Sequence, residues 1–475
     1  MTFNSIQYFL FLPVVYLAFY FANDRFRWVI LLAASFLFYA ALKAPYLLGV
    51  LLLVATATYA FGNWLDRAGT PRAKHRLLLA GIVFNVLILG VMKYLPSRVF
   101  VAIGVSFYVF QAISYLIDIY LEVAKPERHF GYFLLYLSFF PKLLQGPIER
   151  AGNLLPQLKR PYVFDYDNVR AGMLIFAWGL FKKVVVADRL GVFVDAVYND
   201  CYRYTGLPLL IATYLYAFQV YFDFSAYTDM ALGTARIFNI RLTQNFNSPY
   251  LAISIADFWR RWHISFSRWI LDYIFRPLQM SWRDRGALGT ALALIITFLV
   301  SGIWHGAAWG FVIWGLLHGC YLAASVYYRP FKKRIHNWLG VGRSRWLRVW
   351  QVWITFNLVC FAWIFFRANS FSDAIYVVTR LLTYFRKIPS VMFNRVFLNE
   401  DVVFYLSSGG FLLVIAGLLV MALSGYVLSA CNKAGMDEYI FERPAVIRWV
   451  FYVWVTMAII VFGFIADSSF IYYRF

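Results

Sequence analysis

Residues 292–322 read LALIITFLVSGIWHGAAWGFVIWGLLHGCYL, and no Asp, Glu, Lys or Arg interrupts them. A crossing of the bilayer core takes about 20 mainly apolar residues. The stretch therefore reads as parts of two membrane spans, Ala287–Ile303 and Ala307–Val326, with His305 at their junction. A polar side chain at membrane depth is costly, so one found there marks a pathway or a reaction by default. The glycines and alanines around His305 let neighbouring backbone approach closely, and Trp304 and Trp309 would wall the ring in. An imidazole that titrates near neutral pH, held among aromatic and small residues, suits proton transfer at a reacting hydroxyl.

Composition carries this reading to the whole chain. Of 475 residues, 62% are hydrophobic, 21% aromatic and only 14% charged. Soluble domains carry about 25% charged residues, so the chain is expected to be an all-α polytopic membrane protein. No stretch between apolar segments has the ~50 residues of a small soluble domain, and residues 1–475 are expected to form a single membrane domain. The net charge of +21 would also fit a nucleic-acid binder. The basic residues cluster at Arg67–Arg76 and Arg329–Arg348 between apolar segments. That is the pattern of loops facing the cytoplasm and anionic lipid headgroups, so membrane lipid is expected and nucleic acid is not. The four cysteines are scattered, with no spacing for a disulfide framework or a metal site.

Candidate spans open with Ser5–Ala22, Trp28–Leu42 and Tyr46–Leu65. Arg25 and Arg27 follow the first apolar run rather than precede it, the reverse of a signal peptide. The N-terminus is thus expected outside the cytoplasm, which puts the basic segment DRAGTPRAKHR inside. Leu77–Leu95 and Val99–Leu121 follow, then HFGYFLLYLSFFPKLLQGPIER, where Pro141, Gly146 and Pro147 break an apolar run too early for a clean span. A re-entrant segment covered by protein is expected there. Val169–Val186, Leu207–Phe222, the His305 pair, Val349–Phe366, Phe404–Leu428 and Val446–Ile465 bring the total to roughly a dozen transmembrane or re-entrant helices.

Two further segments carry chemistry. In DFWRRWHISFSRWI, Asp257–Ile270, a continuous helix would place His263 on one face with Trp259, Arg260, Phe266 and Ser267. One reading is an interfacial helix with Trp and Arg at headgroup level; the other is a second functional imidazole, and the pattern does not separate them. In QVYFDFSAYTDMALG, Asp223 and Tyr227 stand four apart among apolar residues. A carboxylate there must be paired, wetted or protonated, so it either orients an imidazole or binds Arg or Lys from a neighbouring helix. His318 is expected in a supporting or packing role, and His75, His129 and His336 in solvated loops.

Together these segments resemble the membrane-bound O-acyltransferase superfamily, in particular the bacterial branch serving alginate O-acetylation and teichoic-acid D-alanylation. YFDFSAYTDMALG, FWRRWHISFSRW and GIWHGAAW follow in the family's order, and NFNSPY (Asn245–Tyr250) and VSFYVFQAISYLIDIY are similar to family segments. The resemblance implies a funnel-shaped helical body with a central tunnel. It implies His305 as the principal catalytic histidine and His263 as its partner, with the two roles exchangeable. Trp304, Asp223, Tyr227, Trp259, Arg261, Trp262 and Asn247 would line or support the tunnel. It also implies a cytoplasmic thioester donor such as acetyl-CoA, with no permanently bound cofactor. The acceptor would be an extracytoplasmic polysaccharide, reached with the help of an extracytoplasmic acyltransferase partner, and the location would be the bacterial cytoplasmic (inner) membrane.

The final SSFIYYRF resembles the branch's aromatic tail. Tyr472 is accordingly a candidate acyl relay, with an aromatic tail anchored at the interface as the alternative. Ala226 replaces the glycine usual beside Asp223, and LQMSWRDRGALG (Leu278–Gly289) lacks the branch's Gly-Gly-Asn-Arg element. Both departures bear on the acceptor. Two competing expectations are D-alanyl transfer from a carrier protein and a non-catalytic glycan or lipid transporter. The matching Gly/Pro-broken halves of many transporters are not seen.

Overall fold

The computed structural model describes residues 1–42, 44–94, 103–338, 344–383, 415–420, 423–425, 436–464 and 470. Every regular element among them is helical, in agreement with the all-α expectation. In chain order these are α1 (Ile6–Phe21), α2 (Asp24–Ala40), α3 (Tyr46–Arg67), α4 (Pro71–Tyr94), α5 (Val105–Tyr120), α6 (Phe130–Ser138), α7 (Ala151–Leu158), α8 (Tyr166–Phe181), α9 (Asp188–Tyr198) and α10 (Leu207–Ile237). They continue with α11 (Ile255–Arg261), α12 (Ile264–Ile270), α13 (Arg276–Ser281), α14 (Gly286–His305), α15 (Trp309–Trp338), α16 (Arg345–Arg367), α17 (Phe371–Arg380), α18 (Met436–Phe441) and α19 (Ala445–Phe462).

Seven helices among the described residues are long and apolar enough to cross a membrane: α3, α4, α10, α14, α15, α16 and α19. Helices α1 and α5 are apolar but have 16 residues each, a rise of about 24 Å against a hydrocarbon core of about 30 Å. On α19 only Val455 and Ala458 are buried, while Trp449, Val450, Val453 and Ile460 face outward. Such an apolar outer surface needs lipid as its solvent. The expected span Phe404–Leu428 lies mostly outside the described residues.

The chain divides into two compact units. Among the described residues, the first comprises those within 1–180 and 226–244, and the second those within 181–225 and 245–470. In the first, Phe3 and Tyr8 meet Phe38, Phe176 and Tyr227, and the Tyr8 hydroxyl bonds Thr234 Oγ1 at 2.7 Å. Helices α8 and α10 cross at near backbone contact. A Cβ on Gly172 would lie 2.6 Å from the Gly233 carbonyl oxygen, and one on Gly179 would lie 2.7 Å from that of Ala226. Small residues seven apart on both helices make this approach possible. The HFGYFLLYLSFFPKLLQGPIER segment is broken as expected: α6 ends at Ser138 and the chain then runs irregularly to Arg150, almost wholly buried.

In the second unit α14 and α15 form a tight helical hairpin. A Cβ on Gly315 would sit 2.3 Å from the Phe298 carbonyl oxygen, and one on Gly302 would sit 2.4 Å from that of Phe311. Gly310 meets α16 in the same way, 2.3 Å from the Phe365 carbonyl oxygen. The glycines of the opening sequence thus bring three helices together around the end of α14, where His305 is the last helical residue.

Candidate active site

His263 stands between two helices rather than within one. Helix α11 ends at Arg261, α12 starts at Ile264, and His263 adopts φ 42° and ψ 55°. Left-handed backbone is uncommon outside glycine, although histidine is among the types that tolerate it, and it costs on the order of 1–3 kcal/mol. The preceding segment offsets that cost. The Ile264 N–H donates to the Asn245 carbonyl (2.9 Å), while the Ser265 N–H (3.1 Å) and hydroxyl (2.6 Å) both donate to Asn245 Oδ1. The Asn247 N–H donates to the Arg261 carbonyl at 3.0 Å, closing the other side of the corner.

The corner overturns the continuous helical face expected for residues 259–267. Trp259 turns toward α15, where its Nε1–H donates to His318 Nδ1 at 3.2 Å. His263 instead meets Phe224 at 4.8 Å and Phe266 at 5.1 Å between ring centroids. Trp262 is buried against Phe246, Phe258 and Trp363. Arg261 pairs with Asp257 at 3.1 Å, and Arg260, mostly exposed, reaches the same carboxylate.

His305 is buried at the turn between α14 and α15, ringed by Trp304 (4.4 Å), Trp314 (5.0 Å) and Phe366 (5.0 Å). Trp304 also stacks on Phe266, with centroids 4.4 Å apart. Both histidines flank this pair: Phe266 lies 5.1 Å from His263 and 6.4 Å from His305, and Trp304 lies 6.5 Å from His263. On its other side His305 meets Trp314, which in turn meets His318 at 5.1 Å. Three buried imidazoles are therefore strung along a wall of aromatic rings. Such rings exclude water and leave the imidazole nitrogens as the groups able to accept or give a proton.

Asp223 takes the second of its two expected roles. Its carboxylate binds the Lys183 ammonium at 2.7 Å, and Asp188 binds the same ammonium at 2.8 Å, all three groups buried. Lys183 lies in a π-helical turn, Lys182–Ala187, that joins α8 to α9 and brings it opposite α10 within this unit. The Phe470 ring covers Lys183 at 4.4 Å.

A family model for MBOAT, the membrane-bound O-acyltransferase family, matches residues 126–365. The chain belongs to the membrane-bound O-acyltransferase family. It is 34% identical over 453 residues to a peptidoglycan O-acetyltransferase of Helicobacter pylori, covering 84% of this chain and 83% of that protein. It is 34% identical over 394 residues to a probable alginate O-acetylase of Pseudomonas aeruginosa, covering 78% and 72%. A teichoic acid D-alanyltransferase of Bacillus subtilis is 25% identical over 283 residues, covering 58% and 71%. The MBOAT chain is thus a membrane protein and an O-acyltransferase, as its motifs led one to expect.

Of the MBOAT residues singled out from sequence, His305, His263, Trp304, Trp262 and Trp259 come together in the second unit, and Asp223, in the same unit, is bound to Lys183. Tyr227 belongs to the first unit, where its ring packs on Phe3 at 4.8 Å. Asn247 is exposed and contributes backbone. Tyr472 lies outside the described residues. Phe266 meets His263 as the helical spacing predicts, whereas Asn245, Lys183, Asp188 and Trp314 carry no such signal in the sequence. In NFNSPY the buried Asn245, and not the exposed Asn247 expected in the site, supplies the side chain that holds the corner.

Proposed function

We propose that this chain transfers acetyl groups from a cytoplasmic thioester donor, such as acetyl-CoA, toward hydroxyls of an extracytoplasmic glycan of the peptidoglycan or alginate kind. His305 acts as the general base or acid at the reacting hydroxyl, and His263, beyond the Phe266–Trp304 pair, supplies electrostatic support or the second proton transfer. The carrying observation is that both buried imidazoles flank one stacked aromatic pair. Proton transfer by a positioned imidazole contributes about 10²–10⁴-fold to a rate.

Acetyl is favoured over D-alanyl because the two acetyl-transferring relatives are more alike to this chain, and over more of it, than the D-alanyltransferase. The remaining elements of the proposal are a tunnel within one MBOAT body, an extracytoplasmic acyltransferase partner, and Tyr472 as acyl relay. Location in the bacterial cytoplasmic membrane with the N-terminus outside is supported by charge. With α1, α2 and α3 each taken as a crossing, Arg25 and Arg27 after α1 and the basic run Arg67–Arg76 at the end of α3 both fall on the cytoplasmic side.

The test replaces His305 with Ala in cells and reads glycan acetylation and glycan export separately. Loss of acetylation with export intact is expected; acetylation unchanged, with reduced export, would favour a transporter instead. Radiolabelled acetyl-CoA offered to the purified protein should label it or its partner. Labelling from a charged carrier protein alone would transfer the proposal to the D-alanyl reaction.

A further inference from the structure

The first unit holds a cavity of about 430 Å³ whose lining includes none of the residues named in the acyl-transfer proposal. It opens beside the turn from α1 to α2 and is lined by the end of α7, residues 159–163 and residues 238–241. Its volume lies in the range of small-molecule sites, about 300–1,000 Å³.

The lining is basic and aromatic. Arg27, Lys159, Arg160 and Arg241 face Asp24 as the single lining carboxylate. Arg27 is committed to Asp24 and to the Tyr162 and Phe19 carbonyls, and Lys159 pairs with Glu127 at 2.5 Å. The Arg160 and Arg241 guanidinium groups have no carboxylate partner among the described residues. Arg241 is nevertheless held in place. Gln157 Nε2 donates to its carbonyl (3.0 Å) and its N–H donates to Gln157 Oε1 (2.9 Å). Beside them Asn239 adopts φ 60°, donates Nδ2 to the Val163 carbonyl (2.6 Å), and leaves a buried Oδ1 without a donor among the described residues. Trp28 and Tyr132 pack at 5.4 Å to form an aromatic wall.

We infer that this cavity binds a phosphate-bearing ligand. The Arg160 and Arg241 guanidiniums would take the phosphate oxygens, Asn239 Oδ1 would accept from a ligand hydroxyl, and Trp28 and Tyr132 would cover its less polar part. Guanidinium forks match phosphate geometry. Two sources share this chemistry. One is an anionic lipid headgroup, suggested by Phe21, 78% exposed, and Tyr166, 64% exposed, on the neighbouring helix ends. The other is the nucleotide moiety of a soluble donor.

The experiment uses the full chain in phosphatidylcholine nanodiscs. Retention of added phosphatidylglycerol is read by native mass spectrometry, and binding of coenzyme A by equilibrium dialysis. At least one is expected to bind, and the Arg160→Gln/Arg241→Gln variant should weaken that binding at least about tenfold, as loss of charged hydrogen bonds implies. Retention of the lipid alone, weakened in the double variant, identifies a headgroup site, and coenzyme A binding that the double variant weakens identifies a donor site here. Both residues are exposed, so the variant should melt as the parent does. Arg25→Gln, exposed and outside the lining, serves as the charge control and should leave binding intact. Binding of neither probe, equal binding by the double variant, or equal loss in the Arg25 control would overturn the inference. Transfer lost in His305→Ala while binding persists, or binding lost in the double variant while transfer persists, separates the failure of this inference from that of the His305 proposal.

Discussion

Trp304 lies on Phe266 with ring centroids 4.4 Å apart and planes 27° from parallel, and His263 and His305 each touch this pair. The pair is therefore both packing and partition. Phe266→Ala should cost about 3–5 kcal/mol, as large-to-small changes at buried aromatics do, and should also admit water between the imidazoles. Phe266→Leu keeps most of the volume and should retain the larger share of stability. Melting temperature and acetyl transfer per folded molecule, measured side by side, check this. If Phe266→Ala transferred acetyl groups at the parental rate, the partition would have no part in the chemistry.

The left-handed corner at His263 allows its backbone role to be separated from its side-chain role. Asparagine tolerates positive φ as histidine does, whereas a β-branched residue there is a genuine outlier. His263→Asn should fold and reach the membrane normally, with transfer falling by about 10²-fold or more if the imidazole handles a proton. His263→Val should lower the melting temperature as well. Full transfer by the Asn variant would reduce His263 to a structural corner.

Hydropathy made the helical membrane architecture legible, because the pattern that buries a span is local in sequence. His305 stood out for the same reason: a polar ring among apolar neighbours needs no knowledge of distant residues. The corner at His263 left no such trace. Its hydrogen bonds come from Asn245, eighteen positions upstream, and helical spacing alone predicts an unbroken face from Trp259 to Ser267. Lys183 was hidden likewise, since the π-helical turn shifts its facing by one residue relative to a regular helix. Asp223 announced the need for a partner, but only the fold supplies its identity.

The α14–α15 crossing predicts a strong size limit at two glycines. A Cβ at Gly315 would stand 2.3 Å from the Phe298 carbonyl oxygen and 3.0 Å from the Gly302 Cα, both rigid backbone atoms. Gly315→Ala must therefore part the helices, and His305 at the end of α14 would move with them. A lower melting temperature and reduced transfer are expected. Gly49→Ala, with nothing within 4 Å of the new methyl group, is the control and should be neutral. A neutral Gly315→Ala would mean that the crossing is looser than the backbone contact implies.

Lys183 offers the last test, of whether the Asp223 motif serves structure or chemistry. The ammonium is shared by Asp223 and Asp188 and covered by Phe470. Lys183→Met keeps most of the side chain's length but takes from two buried carboxylates the cation they share. Breaking a buried ion pair from one side costs about 3–5 kcal/mol, and the contact with the Phe470 ring adds about 0.5–2 kcal/mol. Adding Asp223→Asn to Lys183→Met removes one of the two like charges that Lys183 held together and should recover part of the loss. If the cluster is structural, the double variant regains both melting temperature and transfer per folded molecule together. If Asp223 instead takes part in the reaction, stability returns while transfer stays low. A parental melting temperature in Lys183→Met itself would show that the buried triad contributes little to holding π-helical turn and α10 together.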